Sequence, residues 1–137
     1  RKLSGPILDR IDLQIAVPRL TPEELLSFSG GAESSAAIRT RVVRAREVQQ
    51  RRWAPFGLSC NAELPEKLVR RHLELSAESR DYLTGMAGRL KLSGRGISRV
   101  LKVARTIADL AGEETIGKEH ISEAISYRKL DRSSWGR

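Results

Sequence analysis

The 137-residue sequence predicts a mainly α-helical protein, a bundle of about five helices that follows a short turn and one strand. Three observations predict this class. Aromatic residues make up only 4% of the chain, so the core must consist mostly of Leu, Ile, Val and Ala. From residue 33 onward, apolar residues recur at helical spacing. Most of these periodic segments begin with a serine or a proline, which are favoured residues at helix starts.

The first twenty residues follow a different pattern. Gly5-Pro6 interrupts the backbone, and residues 12–17 then alternate polar and apolar side chains up to Pro18, which is a strand pattern. A single strand needs a sheet to pair with, and no other segment alternates in this way. We therefore expect the sheet to belong to a preceding part of a longer protein. The start on Arg1-Lys2-Leu3, without an initiator Met, favours the same interpretation.

The helices can be placed from their start and stop signals. Thr21 and Pro22 predict one helical turn, and the small, Gly-rich residues from Ser27 to Ala32 predict a flexible linker. Beyond the linker, the predicted helices run from Ser34 or Ser35 to about Arg52, from Pro65 to about Leu73, from Ser76 to about Leu90, from Ser93 to Ala111, and from Ile116 to Arg128.

The long helix that begins at Ser34 or Ser35 carries both apolar and basic residues. Its predicted inward face contains Ile38, Val42, Ala45 and Val48 or Gln49. Its six arginines scatter around the polar circumference, which is typical of a solvated helix and not of a dedicated nucleic-acid stripe. They are Arg39, Arg41, Arg44, Arg46, Arg51 and Arg52. Diffuse attraction to a DNA backbone is compatible with this arrangement.

The helix predicted over Ser93 to Ala111 is the most clearly amphipathic element. Its apolar arc lies opposite a basic arc. Asp109 follows Arg105 by one helical turn, so the two side chains can form an ion pair. The basic arc contains Arg95, Arg99, Lys102 and Arg105. An ordinary solvated face has the same pattern. Arg99, Lys102 and Arg105 are therefore candidates for a nucleic-acid or phosphate face, and both interpretations stay open.

Arg95 differs from the other basic residues because it lies two residues after the predicted N-cap Ser93. The free backbone N–H groups and the helix dipole favour an anion at this end. A guanidinium is unfavourable there unless an anion lies between it and the N–H groups. The position therefore indicates an anion site, although the flanking Gly94 and Gly96 predict a loose first turn.

Arg10 lies between two carboxylates in Leu8-Asp9-Arg10-Ile11-Asp12, where the predicted turn becomes the predicted strand. A planar, permanently charged guanidinium held at such a junction suits a phosphate. A local salt bridge with a neighbouring aspartate is the competing interpretation.

Composition limits the other functions. The net charge of +8 and the pI of about 10.4 suggest a polyanionic partner, which could be nucleic acid, nucleotide phosphate or an acidic protein. Cys60 is the only cysteine, so there is no disulfide framework and no zinc spacing, and a reducing cytoplasm is expected. The two histidines lack paired ligand spacing, so no metal is expected. No membrane span or signal peptide is visible, so no membrane association is expected.

Ser4-Gly5-Pro6-Ile7-Leu8-Asp9-Arg10-Ile11-Asp12-Leu13 closely resembles the arginine-finger segment of AAA+ ATPases. The similarity is to the branch that holds magnesium chelatase, the MCM replicative helicases and the bacterial magnesium-chelatase-like proteins of the ComM/YifB type. It continues through residues 17–20, 33–35, 61–62, 101–110 and 127–128, so it covers nearly the whole chain.

The resemblance implies a role for two residues. Arg10 would be the arginine finger, which reaches the ATP of the neighbouring subunit in trans. Arg95 would be the sensor-2 arginine, which touches the γ-phosphate. The chain contains no Gly-x-x-x-x-Gly-Lys-Ser/Thr and no strand ending in acidic metal ligands. We therefore expect ATP and Mg²⁺ to be cofactors of the full-length ATPase, and the chain alone to be inactive.

The resemblance also implies an organisation. Residues 1–20 would end the AAA+ core, 21–33 would be a linker, 34–130 the helical lid and 131–137 a tail. The full-length protein would form a hexameric ring that remodels DNA as a helicase, in the recombination of incoming DNA. The chain alone is expected to be monomeric because the core would supply most of the ring interface.

Three alternatives remain open at this stage. They are the motor subunit of a chelatase that acts on a protein–porphyrin partner, a protease-linked AAA+ module, and a stand-alone basic helical DNA-binding domain. A phosphate-binding motif upstream of this chain would exclude the last of them.

Overall fold

The computed structural model describes residues 7, 10–27 and 32–128. Within residues 10–27 and 32–128 it contains six α-helices: α1 (Pro22–Leu26), α2 (Ser35–Trp53), α3 (Glu66–His72), α4 (Ala77–Leu90), α5 (Gly94–Ala111) and α6 (Lys118–Ser126). Two short 3-10 turns, Ala54–Phe56 and Asn61–Glu63, connect α2 to α3. The predicted mainly α-helical class is confirmed. No helix in these ranges combines the length and the apolar character needed to cross a bilayer. The predicted tail at 131–137 lies outside the described residues.

The helix starts depend on the side chains that the sequence indicated. Ser34, Ser76 and Ser93 each accept a hydrogen bond from a backbone N–H in the first turn of the helix that follows. Thr21 forms a capping box at the start of α1. Each such cap is worth roughly 1 kcal/mol. Gly112 ends α5 with a φ of 78°, a left-handed conformation that glycine adopts without a side-chain clash.

Helix α5 is central to the bundle, since it contacts α2, α3, α6 and the Asn61–Glu63 turn. The core around it is built mostly from aliphatic side chains, and Trp53 is its largest member. Its other fully buried large apolar residues are Leu64, Val69, Val100, Ile116, Ile121 and Ile125. The pattern of α5 and α6 is therefore explained by one shared core.

The strand predicted over residues 12–17 does not form within the described part of the chain. The only bridge there is an isolated parallel one between Leu75 and Ile116. The side chains of Ile15 and Val17 are 66% and 85% exposed. A strand requires a partner strand, and the sequence pattern placed that partner outside this chain. The turn before it is present, because the Arg10 N–H donates to the Ile7 carbonyl oxygen at 3.0 Å.

The prediction for the inward face of α2 was correct only for its second half. Ala45 and Gln49 are buried, but Ile38 and Val42 are 42% and 45% exposed. The periodicity identified an apolar face along the whole helix, but the described elements cover this face only from Ala45 onward. Helical spacing shows which residues share a face and cannot show how much of that face is covered.

A buried carboxylate joins the end of α2 to the end of α5. The Asp109 side chain is completely buried. Its oxygens accept hydrogen bonds from Arg52 at 3.1 Å, from Arg105 at 3.1 Å and from the Asn61 amide at 2.8 Å. The Asn61 oxygen in turn accepts a hydrogen bond from the Trp53 indole at 2.8 Å. The network therefore satisfies the polar groups that the surrounding core encloses.

The structure places Arg105 in the interior, whereas the sequence placed it on a basic arc that was either an ordinary solvated face or a nucleic-acid or phosphate face. Arg105 is only 4% exposed. Its guanidinium donates to Asp109 and to the backbone carbonyl oxygens of Glu113 and Glu114. Burial lowers the pKa of Arg105, and the Asp109 charge opposes this shift. The predicted pairing of Arg105 with Asp109 is confirmed, but it lies in the interior because the loop after α5 closes over it.

We predict that Asp109→Ala destabilises this chain by about 3–5 kcal/mol, since it leaves the buried Arg105 and Asn61 and the half-buried Arg52 without their shared acceptor. Urea unfolding would measure the change in the free energy of unfolding. Glu66→Ala is the control, because it removes an exposed partner 4.0 Å from Arg70 and should cost less than about 0.5 kcal/mol. Equal effects of the two substitutions would contradict a structural role for the Asp109 network.

Candidate phosphate-binding cleft

A cleft of about 720 Å³ lies where the N-terminal segment meets the helical bundle. Four parts of the chain form its walls: the segment at residues 10–12, the Asn61–Glu63 turn, the start of α3 and the first half of α5. The lining residues are Arg10, Asp12, Ala62, Glu66, Arg95, Ser98, Arg99 and Lys102. The structure thus brings Arg10 and Arg95, both singled out from the sequence, to a single cavity.

Helix α5 positions three of the basic side chains. Arg95, Arg99 and Lys102 follow at intervals of four and three residues, so they lie on one face of the helix. Ser93 fixes the first turn, because its hydroxyl accepts the Gly96 N–H at 3.0 Å. The described first turn is therefore capped and helical despite its glycines.

The cations of the cleft fall into two groups. Arg10 and Arg95 are exposed, and neither guanidinium forms a hydrogen bond or an ion pair with any residue that the structure describes. Arg99, in contrast, donates to the Asp12 carboxylate and, at 3.0 Å, to the Arg10 carbonyl oxygen. Lys102 donates to the Ala62 carbonyl oxygen at 3.1 Å. Among the described cations of the cleft, the guanidiniums of Arg10 and Arg95 are therefore the groups available to bind an external anion.

The charge balance of the cleft also favours an anion. Its lining contains four cationic side chains and two carboxylates, a net of +2. The Asp12 carboxylate is already paired with Arg99, so it does not neutralise Arg10. A concave surface with excess positive charge raises the local concentration of anions. The competing interpretation, a salt bridge of Arg10 with Asp9, involves a residue that lies outside the described part of the chain.

The Asn61–Glu63 turn is held in place from within. The Glu63 carboxylate accepts the Ser59 backbone N–H at 2.7 Å and the Ser59 hydroxyl at 3.0 Å. The backbone hydrogen bond is the main cause that lowers the pKa of Glu63, and the hydroxyl adds to it. A lowered pKa means that this contact stabilises the turn at neutral pH and is lost as the pH falls through the folded-state pKa.

Residues 10–14 are also anchored to the end of the bundle, which the sequence did not predict. The Gln14 N–H donates to the Tyr127 carbonyl oxygen at 2.8 Å, and Arg128 donates to the Ile11 carbonyl oxygen at 3.3 Å. These partners lie more than 100 residues apart in the chain, so no local spacing marks them. Backbone carbonyl acceptors carry no sequence signal at all.

Two other clusters could have been sites but have internal explanations. A cavity of about 270 Å³ has Arg52 and Arg105 in its lining, and both guanidiniums bind Asp109. The ligand atoms of Glu113, Glu119 and His120 lie within 4.8 Å of one another, a cluster that sequence spacing missed.

The His120 ring is already used to start a helix. Its Nδ1 accepts the Gly117 N–H at 2.9 Å, so in the neutral ring Nε2 carries the proton. Nε2 lies 3.8 Å from a carboxylate oxygen of Glu113, which is beyond hydrogen-bond distance. The other histidine, His72, packs against the Phe56 ring with centroids 4.7 Å apart.

Comparison with known proteins agrees with this architecture. Residues 32–128 match the family described as "Magnesium chelatase, subunit ChlI C-terminal". The chain is 40% identical over 131 residues to Competence protein ComM of Haemophilus influenzae and 41% identical over 131 residues to the uncharacterized protein YifB of Escherichia coli. Each match covers 96% of this chain and 25% of the relative, so the chain spans about a quarter of the length of these curated relatives.

The helical bundle and the family match together define the class: the chain belongs to the magnesium chelatase ChlI C-terminal family. Within that class, the similarity along nearly the whole chain shows that it corresponds to the C-terminal region of a magnesium-chelatase-like AAA+ protein of the ComM and YifB type. The matched range contains Arg95 and Arg99, whereas Arg10 precedes it.

We predict that tripolyphosphate added to this chain shifts the amide resonances of residues 10–12 and 94–99 in an NMR titration. The reason is that the unpaired guanidiniums of Arg10 and Arg95 face the same cleft. Arg95→Ala should weaken this binding several-fold, since a charge-assisted contact is lost. Arg89→Ala is the matched control, because Arg89 is an exposed arginine in the last turn of α4. Shifts spread evenly over the basic surface would contradict a defined cleft.

Proposed function

We propose that the cleft is the phosphate-contacting surface of an ATP-hydrolysing AAA+ ring, with Arg10 as the arginine finger and Arg95 as sensor 2. The observation that carries this proposal is that one cleft is lined by two guanidiniums from distant parts of the chain, neither of which is paired with a described residue. An arginine fork suits phosphate oxygens, and paired forks suit a group that carries several negative charges.

The shared cleft supports a further feature of the proposal, that both arginines reach the same nucleotide. The chain lacks a Walker A motif, so another part of the ring must cradle the phosphates. A finger that acts in trans reaches into the neighbouring subunit, and Arg95 accompanies it from the same side. Such fingers accelerate phosphoryl transfer by about 10³–10⁵ in other nucleotide hydrolases.

The donor set of the cleft fits phosphate and not Mg²⁺. Proteins bind magnesium through carboxylate oxygens that are available to the ion, together with water and substrate phosphate oxygens. Of the two carboxylates in the lining, Asp12 is bound by Arg99 and Glu66 lies 4.0 Å from Arg70. When ATP binds, Mg²⁺ would neutralise charge on its phosphates. Residues outside this chain would hold the ion, and Arg10 and Arg95 would orient the terminal phosphate.

For the whole ring we propose DNA remodelling of the helicase type as the activity, in recombination of incoming DNA. The net charge of +8 and the arginine-rich α2 support a polyanionic substrate. The name of the Haemophilus relative, a competence protein, points the same way. The second candidate is the motor subunit of a chelatase, which the description of the matched family favours. A hexameric ring serves either activity.

We predict that Arg10→Ala in the full-length protein lowers ATP turnover at least about 10³-fold, with ATP binding changed less than a few-fold, because a finger acts on the transition state. Arg95→Ala should lower turnover at least about tenfold. The measurements are steady-state ATPase rates and equilibrium nucleotide binding, with Arg89→Ala as the control. Equal loss of binding and turnover in Arg10→Ala would indicate a structural salt bridge instead.

We predict that this chain alone binds DNA weakly, without sequence preference, and with an affinity that falls steeply as salt rises. The reason is that its positive charge is scattered, and the described rings of Trp53 and Phe56 pack against each other 6.2 Å apart and present no stacking platform. Fluorescence anisotropy at several salt concentrations is the measurement. Binding that survives high salt would contradict this expectation and would favour a dedicated recognition surface.

A further inference from the structure

The guanidinium of Arg99 makes contacts that differ in kind from those of its neighbours on α5. One nitrogen, Nη1, donates both to the Asp12 carboxylate and to the backbone carbonyl oxygen of Arg10. One acceptor belongs to the backbone of Arg10 itself, and the other lies two residues further along the chain. Arg99 therefore binds the backbone of Arg10, the residue whose side chain lines the cleft.

We propose that Arg99 is a positioning residue for Arg10: with Asp12 it forms a clamp that fixes the finger relative to Arg95. This inference rests on the proposed phosphate-contacting function of the cleft. The clamp, Arg99 with Asp12, replaces the role that the sequence suggested for Arg99 as part of an external phosphate face. The Arg99 charge is paired with Asp12, whereas the charges of Arg10 and Arg95 remain available to a ligand.

The geometry of α5 gives the clamp its effect. Arg99 follows Arg95 by one helical turn, so the clamp and the sensor lie on the same rigid element. The other end of α5 is held by the buried Asp109 carboxylate. The clamp therefore connects the finger backbone directly to the helix that carries the sensor, without the linker that precedes α2.

The N-terminal segment is attached to the bundle at a second place, which does not involve the clamp. The hydrogen bonds from Gln14 to Tyr127 and from Arg128 to Ile11 tie the following residues to the end of α6. In the described structure, the side-chain contacts to the Arg10 carbonyl and to Asp12 come from Arg99. Loss of the clamp therefore leaves the segment attached to the bundle but frees the residue that carries the finger.

The energetic consequence is larger for catalysis than for folding. The Arg99 and Asp12 side chains are 31% and 51% exposed, and exposed ion pairs contribute little to stability. A displacement of about 1 Å in a catalytic group, however, can cost about 10²-fold in rate. A clamp variant should thus fold normally, bind ATP normally and turn over slowly.

The test compares Arg99→Gln, Asp12→Asn and the charge exchange Asp12→Arg with Arg99→Asp in the full-length protein. We expect Arg99→Gln to lower kcat about 10- to 100-fold, with KM for ATP and the unfolding midpoint nearly unchanged. Asp12→Asn should lower kcat in the same direction. The Arg99→Gln/Asp12→Asn double variant should be no slower than Arg99→Gln alone, since Arg99→Gln already removes the contact with Asp12. The charge exchange should recover part of the lost kcat. Arg89→Gln is the matched control.

The opposite pattern identifies a direct phosphate contact. If Arg99 binds the nucleotide, Arg99→Gln raises KM, Asp12→Asn leaves the rate unchanged or raises it because the guanidinium is freed, and the charge exchange rescues nothing. Any of these results overturns the clamp. If Arg10→Ala itself leaves turnover intact, the proposed function fails, whereas loss in Arg10→Ala with full activity in Arg99→Gln refutes the clamp alone.

A measurement independent of activity completes the test. Backbone ¹⁵N relaxation of this chain should show lower order parameters at residues 10–12 in Arg99→Gln, with values at residues 94–111 unchanged. Unchanged order at residues 10–12 would overturn the clamp even if the rate falls.

Discussion

The architecture depends on one buried carboxylate. Asp109 accepts hydrogen bonds from Arg52, Arg105 and Asn61, so it joins the end of α2, the connecting turn and the last turns of α5. Removing a charge from water is costly, and only nearby opposite charges and several hydrogen bonds can offset that cost. The arrangement therefore tolerates few alternatives, and this specificity fixes the orientation of α5 within the bundle.

The two ends of α5 have separate tasks. Its C-terminal end is enclosed, and Arg105 there serves the interior. Its N-terminal end faces the cleft, where Arg95 forms no ion pair with the described residues and Arg99 binds the segment at residues 10–12. One helix thus connects the buried Asp109 network to the cleft. Positioning a catalytic charge from a rigid element is more accurate than positioning it from a loop.

Two segments of the described chain leave apolar surface uncovered. Residues 11–20 and the first half of α2 expose large aliphatic side chains, among them Val17 at 85% and Ile38 at 42%. Exposed apolar residues in a contiguous stretch are typical of surfaces that another element covers. The relatives are about four times as long as this chain, and a core sheet is the partner that the strand pattern at residues 12–17 would require.

The sequence by itself determined the helices and their caps, and it singled out Arg10 and Arg95 as candidate phosphate ligands. Ser34, Ser76, Ser93 and Gly112 are local signals, because a cap acts on backbone groups within one turn. Only the tertiary structure decided which cations stay free. Arg99 and Arg105 belong to the same basic arc as Arg95, yet one binds Asp12 and the other is buried against Asp109. Their acceptors include backbone carbonyls and residues from distant segments, and helical periodicity contains no information about what packs against a face.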